Sequence, residues 1–199
     1  MSPLHLTRKQ RLAGLLGMFL VTSALAPVIP ATHSLAGVTM PDTIRVDGAT
    51  LRLNGMGVRS FTFLQIHGYV AGLYVPAPAH DEATLLATKG PKLLQISYVR
   101  SAGLGRVRGE MRAAHLRTCA SGCSPREDGE YQQLLATARP VHAGDVSSYV
   151  FQANGDVQVL LDDQRLATIH GPDLARAMLD GMIGRNAPTR ALRTGLLGG

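Results

Sequence analysis

The chain has 199 residues, a length that suits one domain with a sizeable core and is too short to suggest two domains. It carries 20 Lys+Arg against 14 Asp+Glu, but Arg8, Lys9 and Arg11 lie in an N-terminal segment that we predict to be removed. The remaining 17 against 14 give a net charge of +3, which is ordinary for a soluble protein. Because these basic residues are spread along the sequence, we expect no nucleic-acid partner.

Residues 1–36 have the pattern of a secretory signal. A basic leader precedes the apolar run Leu12–Ala26, and Ser34–Ala36 offers small residues at the two positions that signal cleavage requires. The run is shorter than the about 20 residues that a membrane span needs, and Pro27 follows it directly. We therefore predict a signal peptide over 1–36, a domain over 37–199, and a periplasmic or secreted protein without a stable membrane anchor. An uncleaved anchor is the alternative.

The predicted domain begins with strands. Thr43–Val46 and Thr50–Leu53 alternate apolar and polar residues around Asp47-Gly48, a two-residue turn signal, and so predict a hairpin. The stretch Gly55–Pro76 is rich in β-branched and aromatic residues and is the most strand-like part of the chain. Arg59 stands at the start of its apolar run, where a guanidinium must find an anion, a carbonyl or water.

The rest of the chain alternates helical and strand patterns. Apolar residues at helical spacing, acidic first turns and Gly or Pro boundaries predict the helices, and turn signals separate the strands. In chain order we predict helix Asp81–Thr88, strand Leu93–Val99, helix Leu104–Thr118, loop Ser124–Gly129, helix Glu130–Arg139, strands Ser147–Gln152, Val157–Leu161 and Leu166–Ile169, a helix from Pro172 to a stop at Gly184, and helix Pro188–Leu197. This order predicts an α+β fold with helices on one face of an antiparallel sheet.

Two cysteines follow the Leu104–Thr118 helix. Cys119 and Cys123 are four residues apart, and in an oxidising compartment an intramolecular disulfide is the default interpretation. Free thiols are one alternative. A metal site with His115 is another, although zinc usually takes a fourth ligand and the sequence shows no obvious one. We therefore predict the disulfide, and neither a metal nor a cofactor.

Two longer motifs carry a family resemblance. The string GMGVRSFTFLQIHGYVAGLYVPAP, over residues 55–78, resembles the core motif of the chalcone isomerase-like family. DLARAMLDGMIGRNAPTRALRTGLL, over residues 173–197, resembles that family's carboxyl-terminal helices. The similarity covers nearly all of Val38–Leu197 and is strongest to bacterial exported members. It implies a large antiparallel sheet covered on one face by helices, an open-faced β-sandwich with a cleft between the two layers.

The resemblance also implies which residues would act in that cleft. In the plant enzymes the cleft closes a flavanone ring without a cofactor, and Arg59 and Met182 match an active-site arginine and a cleft-lining methionine. Two family threonines fall at Tyr69 and Gly181, and the tyrosine, lysine and asparagine of the enzyme's helix fall at Gly105 or Arg106, Arg108 and Arg112. Each lost donor to a developing enolate typically costs about 3 kcal/mol, so we expect no true chalcone isomerase activity.

The family also contains noncatalytic members that hold fatty acids through an arginine and a tyrosine, and Arg59 with Tyr69 is similar to that pair. We therefore predict a binder of a small apolar acid or lipid, with Met182, Val107 and Met111 around the apolar tail. The alternatives are an intramolecular lyase acting on an enone and an interaction protein with a vestigial cleft. Arg59 can instead be a structural residue bonded to carbonyls of its own loop, and Tyr69 and Met182 can be core residues.

Arg59 and Tyr69 share a site only if the chain reverses between them. Ten residues of straight strand at about 3.3 Å per residue would separate them by roughly 33 Å. We therefore predict a reversal within Thr62–Gly68.

Overall fold

The computed structural model describes residues 31–61, 66–120 and 122–199. Within them lies a seven-stranded antiparallel sheet in which each strand pairs with the next one along the chain. Its strands are β3 (Thr43–Val46), β4 (Ala49–Phe61), β5 (Ile66–Val75), β6 (Lys92–Tyr98), β7 (Val146–Phe151), β8 (Asp156–Leu161) and β9 (Gln164–His170). A separate hairpin, β1 (Thr32–Leu35) and β2 (Val38–Pro41), precedes the sheet.

In the described ranges, five helices occupy the connections between strands and the C-terminal part of the chain. They are α1 (Glu82–Ala87), α2 (Leu104–Thr118), α3 (Pro125–Ala136), α4 (Pro172–Ile183) and α5 (Arg190–Leu196). The main hydrophobic core lies between these helices and one face of the sheet. The predicted α+β fold is therefore confirmed, and most of the predicted helices and strands are present to within a few residues, although the β1–β2 hairpin was not predicted.

One boundary was predicted wrongly. Residues 124–129 were predicted as a loop, whereas α3 begins at Pro125. Ser124 forms a capping box: its hydroxyl accepts from the Glu127 backbone N–H at 3.2 Å, and the Glu127 carboxylate accepts from the Ser124 backbone N–H at 2.6 Å. These bonds satisfy two amides at the helix start, so the helix forms one and a half turns earlier than its apolar pattern indicates.

The central motif contains a chain reversal. The predicted hairpin strand and the glycine-rich segment form one strand, β4, which has an irregularity between Leu53 and Gly55 and ends at Phe61. Strand β5 then runs back antiparallel, and Arg59 lies directly opposite Tyr69. Residues 62–65 lie outside the described part of the chain, but the antiparallel pairing on both sides of them confirms the predicted reversal.

The two glycines before Arg59 allow helix α5 to lie directly on the sheet. A Cβ on Gly55 would come to 2.1 Å from the Gly195 carbonyl oxygen, and one on Gly57 to 2.3 Å from the Leu192 carbonyl oxygen. No real Cβ approaches another atom that closely, so side chains at these positions would displace the helix. Arg59, two residues further along on the same face, is the first side chain beyond this contact.

A buried asparagine holds the end of α5. Asn54 Nδ2 donates to the Leu196 carbonyl oxygen at 2.8 Å, and Asn54 Oδ1 accepts from the Ala79 backbone N–H at 2.8 Å. Leu196 belongs to α5, and Ala79 belongs to the loop between β5 and α1. The side chain therefore connects the sheet, the β5–α1 loop and the C-terminal helix.

The opposite face of the sheet carries a smaller core, to which the N-terminal hairpin contributes. Met40 of β2 is 1% exposed and packs against Gly72, where an added Cβ would lie 2.3 Å from the Met40 sulfur. Strand β1 pairs with β2 through a turn at Ala36-Gly37, where both residues have positive φ. Cleavage after Ala36, which stays a prediction, would cut this turn and separate β1 from its partner.

The apolar leader segment Leu12–Ala26 lies outside the described residues. Among the helices that are described, none has both the length and the hydropathy that crossing a bilayer requires.

Candidate ligand-binding cavity

A cavity of ≈ 430 Å³ lies between the helix-covered face of the sheet and helices α2 and α4. Its size falls in the range of small-molecule sites, about 300–1,000 Å³. The sheet forms the floor and the two helices form the roof, so the residues around it come from parts of the chain more than 100 positions apart. Most of its wall is apolar.

Three adjacent strands contribute the floor. Tyr69 of β5 lies opposite Tyr98 of β6, and Leu94 of β6 lies opposite Tyr149 of β7. Directly opposed residues of antiparallel strands project to the same face, and so do alternate residues along each strand. Leu94, Ile96 and Tyr98 therefore face the cavity together, and all three line it.

Tyrosine hydroxyls make one part of this floor polar. The Tyr69 and Tyr98 rings meet edge to face with centroids 6.3 Å apart, and the Tyr98 hydroxyl lies 3.3 Å from Ser147 Oγ. Burial raises the pKa of Tyr69, Tyr98 and Tyr149, and the Arg59 charge opposes this rise at Tyr69 only partly. All three hydroxyls thus remain protonated at neutral pH and can donate hydrogen bonds to an anion.

Arg59 lies at the polar end of the cavity, behind the residues that line it. It is not among the described residues that line the cavity. Its guanidinium lies over the Phe61 ring, 4.4 Å from the centroid, and Nη1 donates to the Ser60 carbonyl oxygen at 2.9 Å. Nη2 lies 3.6 Å from Glu110 Oε2. Phe61 and Glu110 both line the cavity, so Arg59 touches the two residues that separate it from the interior.

Arg59 retains hydrogen-bonding capacity. Its side chain is 15% exposed, and Nε is buried without a hydrogen-bond partner among the described residues. A second guanidinium, that of Arg106 on α2, lies 5.1 Å from the same Phe61 ring and lines the cavity. Two cations thus flank one aromatic ring at the polar end, with Glu110 as the nearby carboxylate.

The other predicted site residues are brought together. Tyr69, Val107, Met111 and Met182 all line the cavity, the last three from the helices α2 and α4. Gly181 lines it too, and a Cβ there would lie 3.2 Å from Thr118 Cγ2, so the glycine keeps α4 close to α2.

The sequence interpretation missed several lining residues. These are Phe61, Tyr98, Glu110, Tyr131 and Tyr149. Two-residue alternation along β6 and β7 would have placed Tyr98 and Tyr149 on the helix-covered face. No local sequence pattern around Glu110 indicates its approach to Arg59, because the two residues are 51 positions apart and lie in different elements.

The far wall of the cavity adjoins the cysteine segment. The structure joins Cys119 and Cys123 in a disulfide with Cα atoms 5.1 Å apart. His115, four residues before it, stacks on the Tyr131 ring with centroids 3.8 Å apart and 4° between the planes. The Tyr131 hydroxyl is buried and has no hydrogen-bond partner among the described residues. Like Arg59 Nε, the Tyr131 hydroxyl is thus a hydrogen-bond donor near the cavity that a ligand can pair with.

Comparison with known proteins identifies the fold family. No curated protein matches the chain. A fatty-acid binding protein from Arabidopsis thaliana, known from its crystal structure, has a similar fold: the TM-score is 0.69 at 17% sequence identity, and the match covers 84% of this chain and 96% of that one. The family model described as chalcone isomerase-like matches residues 32–198. The chain therefore belongs to the chalcone isomerase-like family.

Proposed function

We propose that the protein binds a small apolar carboxylic acid, such as a fatty acid, in the cavity and releases it unchanged. The observation that carries this proposal is the division of one cavity into an apolar wall and a polar end. Met111, Met182 and Leu94 suit an alkyl chain, whereas protonated tyrosine hydroxyls and two arginines suit a carboxylate. The structural similarity to a fatty-acid binding protein supports the same ligand class.

The polar end supplies donors that a carboxylate can accept from. Tyr69 offers a buried hydroxyl whose raised pKa keeps it protonated, and Arg59 lies opposite it across the β4–β5 pairing. Charge-assisted hydrogen bonds of this kind contribute about 1.5–3 kcal/mol each. In this proposal the ligand carboxylate takes the place of Glu110 as the partner of Arg59, and the aromatic ring of Phe61 moves with the guanidinium that lies over it.

Enone cyclisation is less well supported. The departures at Tyr69 and Gly181 remain, and the residues at the other family positions also differ: Arg112 is exposed, and neither it nor Arg108 is among the described residues that line the cavity. A noncatalytic binder needs only an apolar wall and hydrogen-bond donors for an anion, and the apolar lining and the buried tyrosine hydroxyls support this interpretation.

We also propose that the protein acts outside the cytoplasm. The leader over residues 1–36 directs export, and the disulfide between Cys119 and Cys123 is of the kind that persists in an oxidising compartment. Fractionation of a bacterial host that expresses the full chain tests this. The processed protein is expected in the periplasmic or extracellular fraction, and recovery only from the cytoplasm would contradict it.

Ligand binding is tested directly with delipidated protein. Titration with palmitate in a calorimeter is expected to give one site per chain, and Tyr69→Phe should weaken binding by about 10- to 100-fold through loss of one charge-assisted hydrogen bond. Tyr74→Phe is the matched control, because Tyr74 is buried in the core on the opposite face of the sheet and donates to the Pro41 carbonyl oxygen. Absence of binding by the wild type, or equal weakening by both variants, would refute the proposal.

A further inference from the structure

Four potential metal ligands converge where α2 ends and α3 begins. His115, Cys119, Cys123 and Asp128 each offer one ligand atom, and these atoms all lie within 4.8 Å of one another. We refer to these four residues as the two-helix cluster. A ring nitrogen, two sulfurs and a carboxylate oxygen form a donor set of the kind that zinc takes in proteins. Asp128 is the fourth ligand that the sequence alone did not reveal.

The distances from one ring nitrogen of His115 to two other ligand atoms are near those of a tetrahedral centre. Zinc bonds of about 2.3 Å to sulfur and 2.0–2.1 Å to nitrogen place neighbouring ligand atoms roughly 3.3–3.8 Å apart. His115 Nε2 lies 3.8 Å from Cys119 Sγ and 2.9 Å from Asp128 Oδ1, so one ring nitrogen is near both of these ligand atoms. The two sulfurs are bonded to each other, so they must separate before both can take ligand positions.

The cluster is held by packing that does not depend on the disulfide. The His115 ring stacks on Tyr131, which is 5% exposed and belongs to α3. Asp128 stands in the first turn of α3, whose start is fixed by the Ser124 capping box. Both ligands outside the cysteine pair are therefore positioned by helices, as a preorganised site requires.

We propose that the two-helix cluster is a metal site in its reduced form and binds one zinc-class divalent cation per chain. A dithiol reductant transfers two electrons and two protons to the disulfide, which gives two thiols and the oxidised reductant. Binding of the cation then displaces the two thiol protons, so that both cysteines coordinate as thiolates. The disulfide and the metal exclude each other because they use the same two sulfurs.

This site is separate from the ligand proposal but shares a helix with the cavity. His115 and Thr118 line the cavity, and α2 also carries Val107 and Met111. A cation at the cluster would fix the C-terminal end of α2 against α3 by bonds from both helices. Each oxidation state thus has its own link beside this wall of the cavity: the disulfide in the oxidised protein and the bound cation in the reduced protein.

The test is a Co²⁺ titration of the purified chain in air-free buffer, before and after complete reduction. Reduced protein is expected to take up one Co²⁺ with the thiolate charge-transfer and visible bands of tetrahedral cobalt, and Zn²⁺ should displace it. The oxidised protein should show neither band. Uptake that is equal in both oxidation states, or no uptake by the reduced protein, would overturn the proposal without any variant.

Variants assign the ligands outside the cysteine pair. Asp128→Asn and His115→Gln should each weaken Co²⁺ binding by at least about 10-fold, which is the lower bound for losing even an outer-shell partner. His170→Gln is the matched control, because His170 forms the same kind of pair with Asp156, at 2.9 Å, on strands β9 and β8. Circular dichroism of the metal-free proteins verifies folding. Unchanged affinity in both ligand variants would refute the four-residue site.

Discussion

The ion pair between Arg59 and Glu110 gives the sharpest test of how the cavity recognises an acid. Its atoms are 3.6 Å apart, and the side chains are 15% and 41% exposed, so solvent screens the pair on the glutamate side. Partly exposed pairs of this kind contribute about 0.2–1 kcal/mol. If a ligand carboxylate must displace Glu110, then Glu110→Gln should remove that competition together with the repulsion between the two carboxylates.

The expected gain follows from these magnitudes. Removing the competing pair and a like charge should strengthen palmitate binding by about 0.5–1.4 kcal/mol, which is roughly a 2- to 10-fold lower Kd. Arg59→Met should have the opposite effect, weakening binding by about 10- to 100-fold through loss of charge-assisted bonds. In the double variant the gain from Glu110→Gln should largely disappear, because no guanidinium remains for the ligand to capture.

Calorimetry of delipidated protein with palmitate measures all four proteins of this cycle. Two controls separate recognition from general effects of charge. A fatty alcohol of the same length lacks the carboxylate and should bind wild type and Glu110→Gln equally. Glu82→Gln removes another carboxylate, paired with Arg193 at 3.8 Å, and should leave palmitate binding unchanged. The reasoning is refuted if Glu110→Gln weakens palmitate binding, or if it strengthens the alcohol and the acid alike.

Four further outcomes are expected. Chalcone should not be cyclised at a rate above buffer, because several oxyanion donors are missing; loss of the chalcone chromophore with catalytic protein would contradict this. Asn54→Ala should lower the free energy of unfolding in urea by about 2–3 kcal/mol, because the Leu196 carbonyl and the Ala79 backbone N–H lose their partners. The control Asn154→Ala, at an exposed position, should change this free energy little, and equal effects of the two substitutions would count against the buried bonds. Burial raises the pKa of Tyr74 from 10.0 to about 12, so the stability that the protonated hydroxyl contributes is complete below pH 10 and is lost as the pH rises through 12. If Tyr74→Phe loses as much stability at alkaline pH as the wild type, Tyr74 is not the cause. Protein recovered from a secreting host should have the mass of a chain that begins directly after Ala36, and retention of the initiating methionine would disprove cleavage.

Most elements of this fold are specified by local signals in the sequence. The Asp47-Gly48 turn, the helical spacing over Leu104–Thr118 and the stop at Gly184 each act within a few residues, and each element is where those signals place it. The reversal after Phe61 was predicted from the family resemblance, which implies a site shared by Arg59 and Tyr69, because two residues so far apart on a straight strand could not share one. The start of α3 was missed because a capping box overrides a weakly apolar first turn.

The composition of the sites was decided by tertiary structure. Glu110 meets Arg59, Asp128 meets the cysteine pair, and Asn54 meets Leu196 only because helices fold back onto the sheet. None of these pairs shares a local pattern, since the partners lie in different elements, and periodicity reports only which face a residue occupies. The sequence thus determined the layers and the apolar faces, whereas the packing of α2, α3 and α5 determined which polar groups meet between them.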